Sequence, residues 1–260
     1  MLREERLKEI ERILREKGRV EVGNLSRIFN VTEMTVRRDL DELATQQIAV
    51  RSHGGAIIHS DRLLAERPYE LRILMNREEK EKIAEAGLSF INDGDKIFID
   101  SSTTGYCLAH SIPNEKRLLI VTGTLSTAVE LNNRPNLQVV FIGGDLEKET
   151  GSSKGHFAEL MISSMNFDIA FIGVPKITPA GILTTSSIDE LMIKKSVIKK
   201  AKKVIVLVDS SKIGEPDFLE LCHINEIDTI ITNKDIDEGF LQTCEEEGVD
   251  VVLTDVKRPG

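Results

Sequence analysis

The stretch Asn30-Val31-Thr32-Glu33-Met34-Thr35-Val36-Arg37-Arg38-Asp39-Leu40-Asp41-Glu42-Leu43 decides how the first part of this chain folds. Asn30-Val31 reads as a tight turn, and Thr32 carries a hydroxyl suited to cap a helix that begins just after it. Within that helix Val36, Leu40, Leu43 and Ala44 share one face, at spacings of four, seven and eight from Val36. At about 100° per residue with Val36 at zero, the apolar face centres at about 20°. Arg38 then points almost directly outward. Met34, Thr35, Asp41 and Glu42 share the outer face, and Arg37 lies on a flank.

Upstream, Leu7, Ile10, Ile13 and Leu14 recur at helical spacing between Arg3 and Lys17, and Gly18 ends that helix. Val20-Glu21-Val22 leads into a second helical stretch with Leu25, Ile28 and Phe29. Downstream, β-branched residues between Ile48 and Ile58 flank a Gly54-Gly55 turn, which predicts a small hairpin. Three short helices with a tight turn before the third, followed by a hairpin, predict a winged helix-turn-helix over residues 1–57. In that arrangement the start of the third helix reaches base edges in the major groove and flanking cations reach phosphates. Arginine suits bidentate contact with guanine, and threonine suits a thymine methyl or a phosphate. Two adjacent arginines taken alone would equally describe a solvated pair on an ordinary helix.

The net charge of −9 argues at first against a nucleic-acid partner. It is unevenly spread, however. Residues 1–57 carry 11 Lys/Arg against 10 Asp/Glu, whereas residues 58–260 carry 23 against 33. Affinity for DNA depends on local phosphate contacts rather than whole-chain charge, so the acidity of the larger part leaves the smaller part free to present a basic surface. No apolar run approaches the roughly 20 residues of a membrane helix. The charged start Met1-Leu2-Arg3-Glu4-Glu5-Arg6 cannot form the apolar core of a secretory signal. A cytoplasmic protein is expected. Cys107, Cys222 and Cys244 are far apart, with neither a Cys-x-x-Cys pair nor a histidine at zinc spacing, so they read as reduced core fillers. Neither a metal nor a cofactor is expected.

Residues 58–77 read as a polar connector containing Pro68, and a helix begins at Glu78. Beyond it β-branched runs appear at Lys96–Asp100, Leu118–Thr122, Leu137–Ile142, Ile169–Gly173, Val204–Val208, Thr229–Thr232 and Asp250–Thr254. Most are separated by a helical stretch, which predicts an α/β domain over residues 78–260 built on a largely parallel sheet. Two strand-to-helix junctions there are rich in hydroxyls: Asp100-Ser101-Ser102-Thr103-Thr104-Gly105 and Thr122-Gly123-Thr124. Free N–H groups at a helix start, aided by Ser and Thr, make a cradle for phosphate. The same residues also serve as plain N-caps.

The string from Val20 to Leu43, with Val50-Arg51-Ser52-His53-Gly54-Gly55-Ala56 after it, closely resembles the DeoR-family signature in order and spacing. The resemblance implies that Thr32, Glu33, Met34, Thr35, Arg37 and Arg38 lie at or near a DNA surface, with Arg51 and His53 on the wing. Asp39 is expected to pair locally with an arginine, because phosphates repel a carboxylate. The resemblance continues more loosely through the rest of the chain. It implies a sensor domain similar to the ribose-phosphate-isomerase and CoA-transferase fold that responds to a phosphorylated sugar or a similar anionic metabolite. Asp100, Ser101, Ser102, Thr103 and Thr104 match its phosphate loop. Thr122, Gly123, Thr124, Gly143, Gly144, Lys194 and Lys212 are further candidates for the effector site. Lys194 stands in a lysine-rich run that also reads as a solvated face, whereas Lys212 directly follows a strand end. A homo-oligomer, a dimer or tetramer on repeated half-sites of double-stranded DNA, is implied as well, with repression the commoner mode.

This chain departs from the family pattern at four places. Ser102 replaces a glycine, Gly105 a threonine, Gly123 an asparagine, and Pro175-Lys176 stands where Asp-Gly is usual. The lost acid removes a partner for a sugar hydroxyl, and Lys176 adds positive charge, so the expected ligand is anionic. An aldose–ketose isomerase needs a carboxylate base at that place. Its absence, and the attached helix-turn-helix, argue against an enzyme.

Overall fold

The computed structural model describes residues 3–17, 19–46, 48–52, 54–58, 69–148 and 150–255, and the chain divides into two compact units, Met1–Met75 and Asn76–Gly260. The first unit contains α1 (Arg3–Lys17), β1 (Arg19–Glu21), α2 (Val22–Phe29), α3 (Glu33–Thr45), β2 (Ala49–Ser52), β3 (Gly55–Ile58) and α4 (Tyr69–Leu74). Ile10 and Leu14 of α1, Val22 and Leu25 of α2, and Val36, Leu40 and Leu43 of α3 form its core with Val20, Ala49 and Ala56. These are the apolar positions that the helical spacing selects.

The turn between α2 and α3 forms as the sequence predicts. Asn30 takes left-handed backbone at φ 49°, and its N–H bonds back to the Ser26 carbonyl, an ordinary way for a helix to end. The Ser26 hydroxyl donates to the Val31 carbonyl at 2.6 Å and closes the turn. The hairpin gains a strand that the sequence reading did not assign. β1 pairs antiparallel with β3, giving the order β1-β3-β2. Only glycine fits at position 55, because a Cβ there would stand 1.8 Å from the Val20 carbonyl oxygen. The expected polar connector also contains α4, while its residues 59–68 lie outside the described residues.

A buried ion pair ties α1 to α3. Asp39 is 1% exposed and receives Arg6 Nε at 2.6 Å and a second guanidinium N–H at 3.1 Å. The hydrogen bond to Asp39 raises the pKa of Arg6 against the opposing effect of burial. The planar fork matches both carboxylate oxygens.

The second unit contains α5 (Arg77–Leu88), β4 (Lys96–Ile99), α6 (Thr103–Ser111), β5 (Leu118–Thr122), α7 (Leu125–Asn132), β6 (Leu137–Phe141), β7 (Asp145–Leu146), β8 (Ser153–Lys154), α8 (His156–Ser163), β9 (Phe167–Ile172), β10 (Lys176–Ile177), β11 (Ile182–Thr185), α9 (Ile188–Lys200), β12 (Ala201–Leu207), β13 (Leu219–His223), β14 (Thr229–Asn233), α10 (Glu238–Glu246) and β15 (Asp250–Thr254). Seven strands form a parallel sheet in the order β15-β14-β12-β9-β4-β5-β6, and all seven coincide with the predicted β-branched runs. Alternate side chains serve opposite cores. Ile97, Ile99, Phe171, Ile205 and Leu207 pack on one face; Phe98, Ala170, Ile172, Val204 and Val206 pack on the other. Burial of both faces is why these strands read as continuous apolar runs. A small antiparallel sheet, β10-β11-β13, and the β7-β8 pair are additions whose short strands leave little periodicity to read.

From β4 the chain builds outward through β5 and β6, then crosses back to β9 and builds the other way through β12, β14 and β15. The strand order reverses between β4 and β9. In open parallel sheets ligands bind outside the strand C-termini at such a point. The segments that follow β4 and β9 lie at this point.

Asp39→Ala is expected to destabilise the first unit by about 3–5 kcal/mol, because it strands a buried guanidinium. Urea unfolding followed by circular dichroism measures this. Arg6→Met combined with Asp39→Leu should recover most of the loss; an equal loss in both proteins would show that the ion pair is not what joins α1 to α3.

Candidate functional site

The outer face of α3 is built on its cap. Thr32 has extended backbone, and its hydroxyl accepts the Thr35 N–H at 3.2 Å, with the two threonine hydroxyls 2.9 Å apart. This fixes the first turn, on which Glu33, Met34, Arg37 and Arg38 are exposed. Glu33 lies 3.6 Å from Arg37, a loose pair one helical turn apart. Arg38 has no ion-pair partner among the described residues. Arg51 is committed within the unit: it pairs with Asp41 at 2.8 Å and donates to the Gly55 carbonyl at 2.7 Å. Met34 is 60% exposed at the helix start, an apolar surface beside the cations. Asp39 pairs with an arginine as expected, but not locally: the partner is Arg6 of α1, 33 residues away. His53 lies outside the described residues.

The second constellation lies at the switch point between β4 and β9. Asp100, at the end of β4, is 4% exposed. One carboxylate oxygen accepts the Ser102 N–H at 3.0 Å, and the other accepts the Gly173 N–H at 2.8 Å, from the segment after β9. Lys194 of α9 closes the cluster. Its ammonium donates to the Gly173 carbonyl at 2.5 Å and to Glu190, and lies 3.5 Å from Asp100. Glu190 in turn accepts the Thr185 hydroxyl at 2.7 Å. Burial works against the charge on Lys194, but Glu190 and Asp100 outweigh it and raise its pKa above the ordinary lysine value. Lys194 is 2% exposed, which corrects the reading of its lysine-rich run as a solvated face: Lys195 and Lys199 face solvent, and Lys194 turns inward.

This cluster leaves a particular set of donors at the start of α6. Ser102 caps the helix with extended backbone, φ −73° and ψ 153°, and its hydroxyl takes the Gly105 N–H at 2.9 Å. The Tyr106 N–H returns to the Ser102 carbonyl. The N–H groups of Thr103 and Thr104, the first two of the helix, are not taken by the cap; a helix start has four such donors. A side chain at position 105 would be crowded from two directions. A Cβ at Gly105 would lie 2.9 Å from Asp100 Oδ1 and 3.0 Å from Ser102 Oγ. Asp100 crowds this position at least as closely as Ser102 does, through its carbonyl oxygen at 3.1 Å as well as its carboxylate.

The second hydroxyl-rich junction is more enclosed. Thr122 and Thr124 are buried, and the Thr124 N–H bonds to the Thr122 hydroxyl at 3.2 Å. The Ser153 N–H donates to the Gly123 carbonyl at 2.7 Å. The hydroxyls of Thr124 and of Thr127, one turn into α7, are buried without a partner. The Gly143 N–H faces Met161 Sδ at 3.3 Å, and Gly144 packs closely against the Lys154 carbonyl and Ala158. Lys212 ends a short 3₁₀ turn, Ser210–Lys212, that Asp209 caps after β12. Lys176 reaches the Ser211 carbonyl of the same turn at 3.2 Å. All these segments leave one edge of the sheet.

Sequence reasoning missed two contributors. Glu190 is the partner of Lys194 through the i,i+4 geometry on α9. Asn76 donates to Asp209 from 133 residues away, and no local signal announces that. The cysteines sit where core fillers should. Burial pushes the Cys222 thiol up to about 12 and the Cys244 thiol up to about 11.

Residues 6–62 match the family model of the DeoR-like helix-turn-helix domain, and residues 75–234 match that of the DeoR C terminal sensor domain. The HTH-type transcriptional repressor GlcR of Bacillus subtilis is 32% identical over 98% of this chain and 98% of its own length. The glycerol-3-phosphate regulon repressor of Escherichia coli is 30% identical over 93% of this chain and 95% of its own. Among solved structures, ribose 5-phosphate isomerase A from Methanocaldococcus jannaschii superposes with a TM-score of 0.39 at 19% identity, over 53% of this chain and 55% of that one. The chain belongs to the DeoR family of helix-turn-helix transcriptional regulators, a DNA-binding unit followed by a sensor domain.

Proposed function

We propose that this regulator is a repressor whose hold on its operator is set by a phosphorylated metabolite bound at the start of α6. The observation that carries the reading is the pair of uncapped Thr103 and Thr104 N–H groups at the switch point, on a helix whose other early donors are already satisfied. A helix start favours an anion through these donors and the helix dipole. Lys176 and Lys212 bring cationic side chains to the same sheet edge. The names of both relatives describe repressors, and one is named for the glycerol-3-phosphate regulon. That supports a small phosphorylated ligand as the chemical class.

On the DNA side, Arg38 reads base edges, with Thr35 and Met34 beside it and Arg37 toward the backbone phosphates. The regulator acts as a homo-oligomer, since helix-turn-helix proteins read paired half-sites. It acts in the cytoplasm; no helix among the described residues is long and apolar enough to cross a membrane. The sensor unit binds its ligand without turning it over. Both oxygens of Asp100 are spent on backbone N–H groups, and Glu190 is held by Lys194 and Thr185, so neither carboxylate is placed as a free base.

Two substitutions separate the two sites. Arg38→Ala should weaken operator binding by about 1–3 kcal/mol and relax base preference at one position; electrophoretic mobility shifts on operator variants measure both, and unchanged affinity would remove Arg38 from the interface. Thr103→Pro deletes one anion-facing N–H at the first helical position, where proline fits a helix, and the extended backbone of Ser102 already suits a following proline. Operator binding should survive. Stabilisation by phosphorylated sugars in a thermal-shift screen should fall roughly 10- to 100-fold in apparent affinity, the value of a charged hydrogen bond; an undiminished response would place the effector elsewhere.

A further inference from the structure

Asn76 is the first residue of the second unit and stands at the N-cap of α5 with left-handed backbone, φ 48° and ψ 43°. Among the described residues it shares positive φ with one other non-glycine residue, Asn30. Asn30 closes a helix, where that conformation is ordinary. Asn76 lies two residues past the end of α4 as well as directly before α5, so the same helix-ending conformation accounts for its backbone. Its side chain makes no capping bond to α5. Instead Nδ2 donates to Asp209 Oδ1 at 2.9 Å, with Ser211 Oγ at 3.4 Å. The side chain thus reaches the turn after β12, 133 residues away, in place of capping α5.

That loop hangs on the same oxygen. Asp209 is 3% exposed, and its Oδ1 also accepts the Ser211 N–H at 3.1 Å and the Ser211 hydroxyl. The Ser210 N–H is held by Asn233 Oδ1 at 2.7 Å, and Asn233 returns a bond to Ser210 Oγ at 3.0 Å. The turn that carries Lys212 is therefore held by Asp209 and Asn233 together. One carboxylate oxygen is shared between that turn and the residue where the sensor unit begins.

We propose that Asn76 is a positioning residue that links the Asp209–Lys212 turn to the entry of the sensor unit, so that an anion held at the turn is reported to the chain leading back to the DNA-binding unit. This rests on the reading above that the turn belongs to the ligand face. An anion drawing Lys212 toward itself shifts Ser211 and Asp209 Oδ1. The Asn76 bond then shortens or breaks, and its backbone either keeps or leaves the left-handed region. The effect is a difference in ligand affinity between two arrangements of residue 76, which is what coupling requires.

Asn76→Gly tests this, since glycine keeps left-handed backbone and removes only the donor. Amide hydrogen exchange is followed on the full chain with and without inorganic phosphate, and in parallel with glycerol 3-phosphate. In the parent, either anion should slow exchange by about threefold or more in peptides covering residues 76–80 as well as 209–213. In Asn76→Gly the slowing at 209–213 should persist while that at 76–80 disappears. Asn76→Asp, which sets a second carboxylate against Asp209, should lose both. Equal slowing of both peptides in the parent and Asn76→Gly would overturn the link. Slowing at 103–106 alone in the parent would overturn it too, while leaving the α6 site standing. No slowing anywhere in the parent would overturn the ligand reading and this proposal with it.

Discussion

The switch point of the sensor unit depends on one carboxylate bridging the two halves of the sheet. Asp100 ends β4 and accepts N–H groups from its own loop and from the segment after β9, across the point where the strand order reverses. A buried carboxylate needs such donors and a nearby cation, because leaving its charge unpaired in the interior is costly. Lys194 provides the cation, and Glu190 and the Gly173 carbonyl hold Lys194 in turn. The raised pKa of Lys194 makes its contribution to stability fully present below the ordinary lysine value. That contribution is lost only as pH rises through the raised value, so across the neutral range the cluster is a fixed scaffold. With the loop held from below, α6 starts at a set place and the Ser102 cap takes the Gly105 and Tyr106 N–H groups but not those of Thr103 and Thr104.

The first unit uses the same device for a different end. Asp39 falls on the flank of the apolar face of α3 and is paired inward with Arg6. The pairing removes a carboxylate from the surface that faces phosphates. It leaves Arg38 exposed and without an ion-pair partner among the described residues. In both units a buried arginine or lysine satisfies an acid so that the functional donors beside it stay unspent.

Much of this was legible in the sequence because it is periodic. The apolar spacing of α3, the cap at Thr32 and the seven β-branched runs are local signals, and the helices and parallel strands follow them. The residues matched to the family's phosphate loop were named by resemblance alone, and their environment was not legible. Lys194 sits among lysines that do face solvent, and only the packing of α9 against the β9 segment turns it inward. The crowding of Gly105 by Asp100 and the Ser102 cap is a matter of a few tenths of an ångström. β1 joins the wing through a three-residue pairing too short to show alternation. The link from Asn76 to Asp209 is long-range and leaves no pattern at either end.

The central claim is that one protein carries a DNA site and an anion site with a shared free energy between them. Linkage makes this measurable from both directions, since a ligand that changes operator affinity by some factor must have its own affinity changed by the same factor. Fluorescence anisotropy of a labelled operator, titrated at fixed salt with and without the phosphorylated metabolite that stabilises the protein, gives one side of the cycle. Calorimetric titration of that metabolite into free and operator-bound protein gives the other. The account predicts equal factors, both well removed from one. Operator affinity that is indifferent to a metabolite bound at α6 would contradict it.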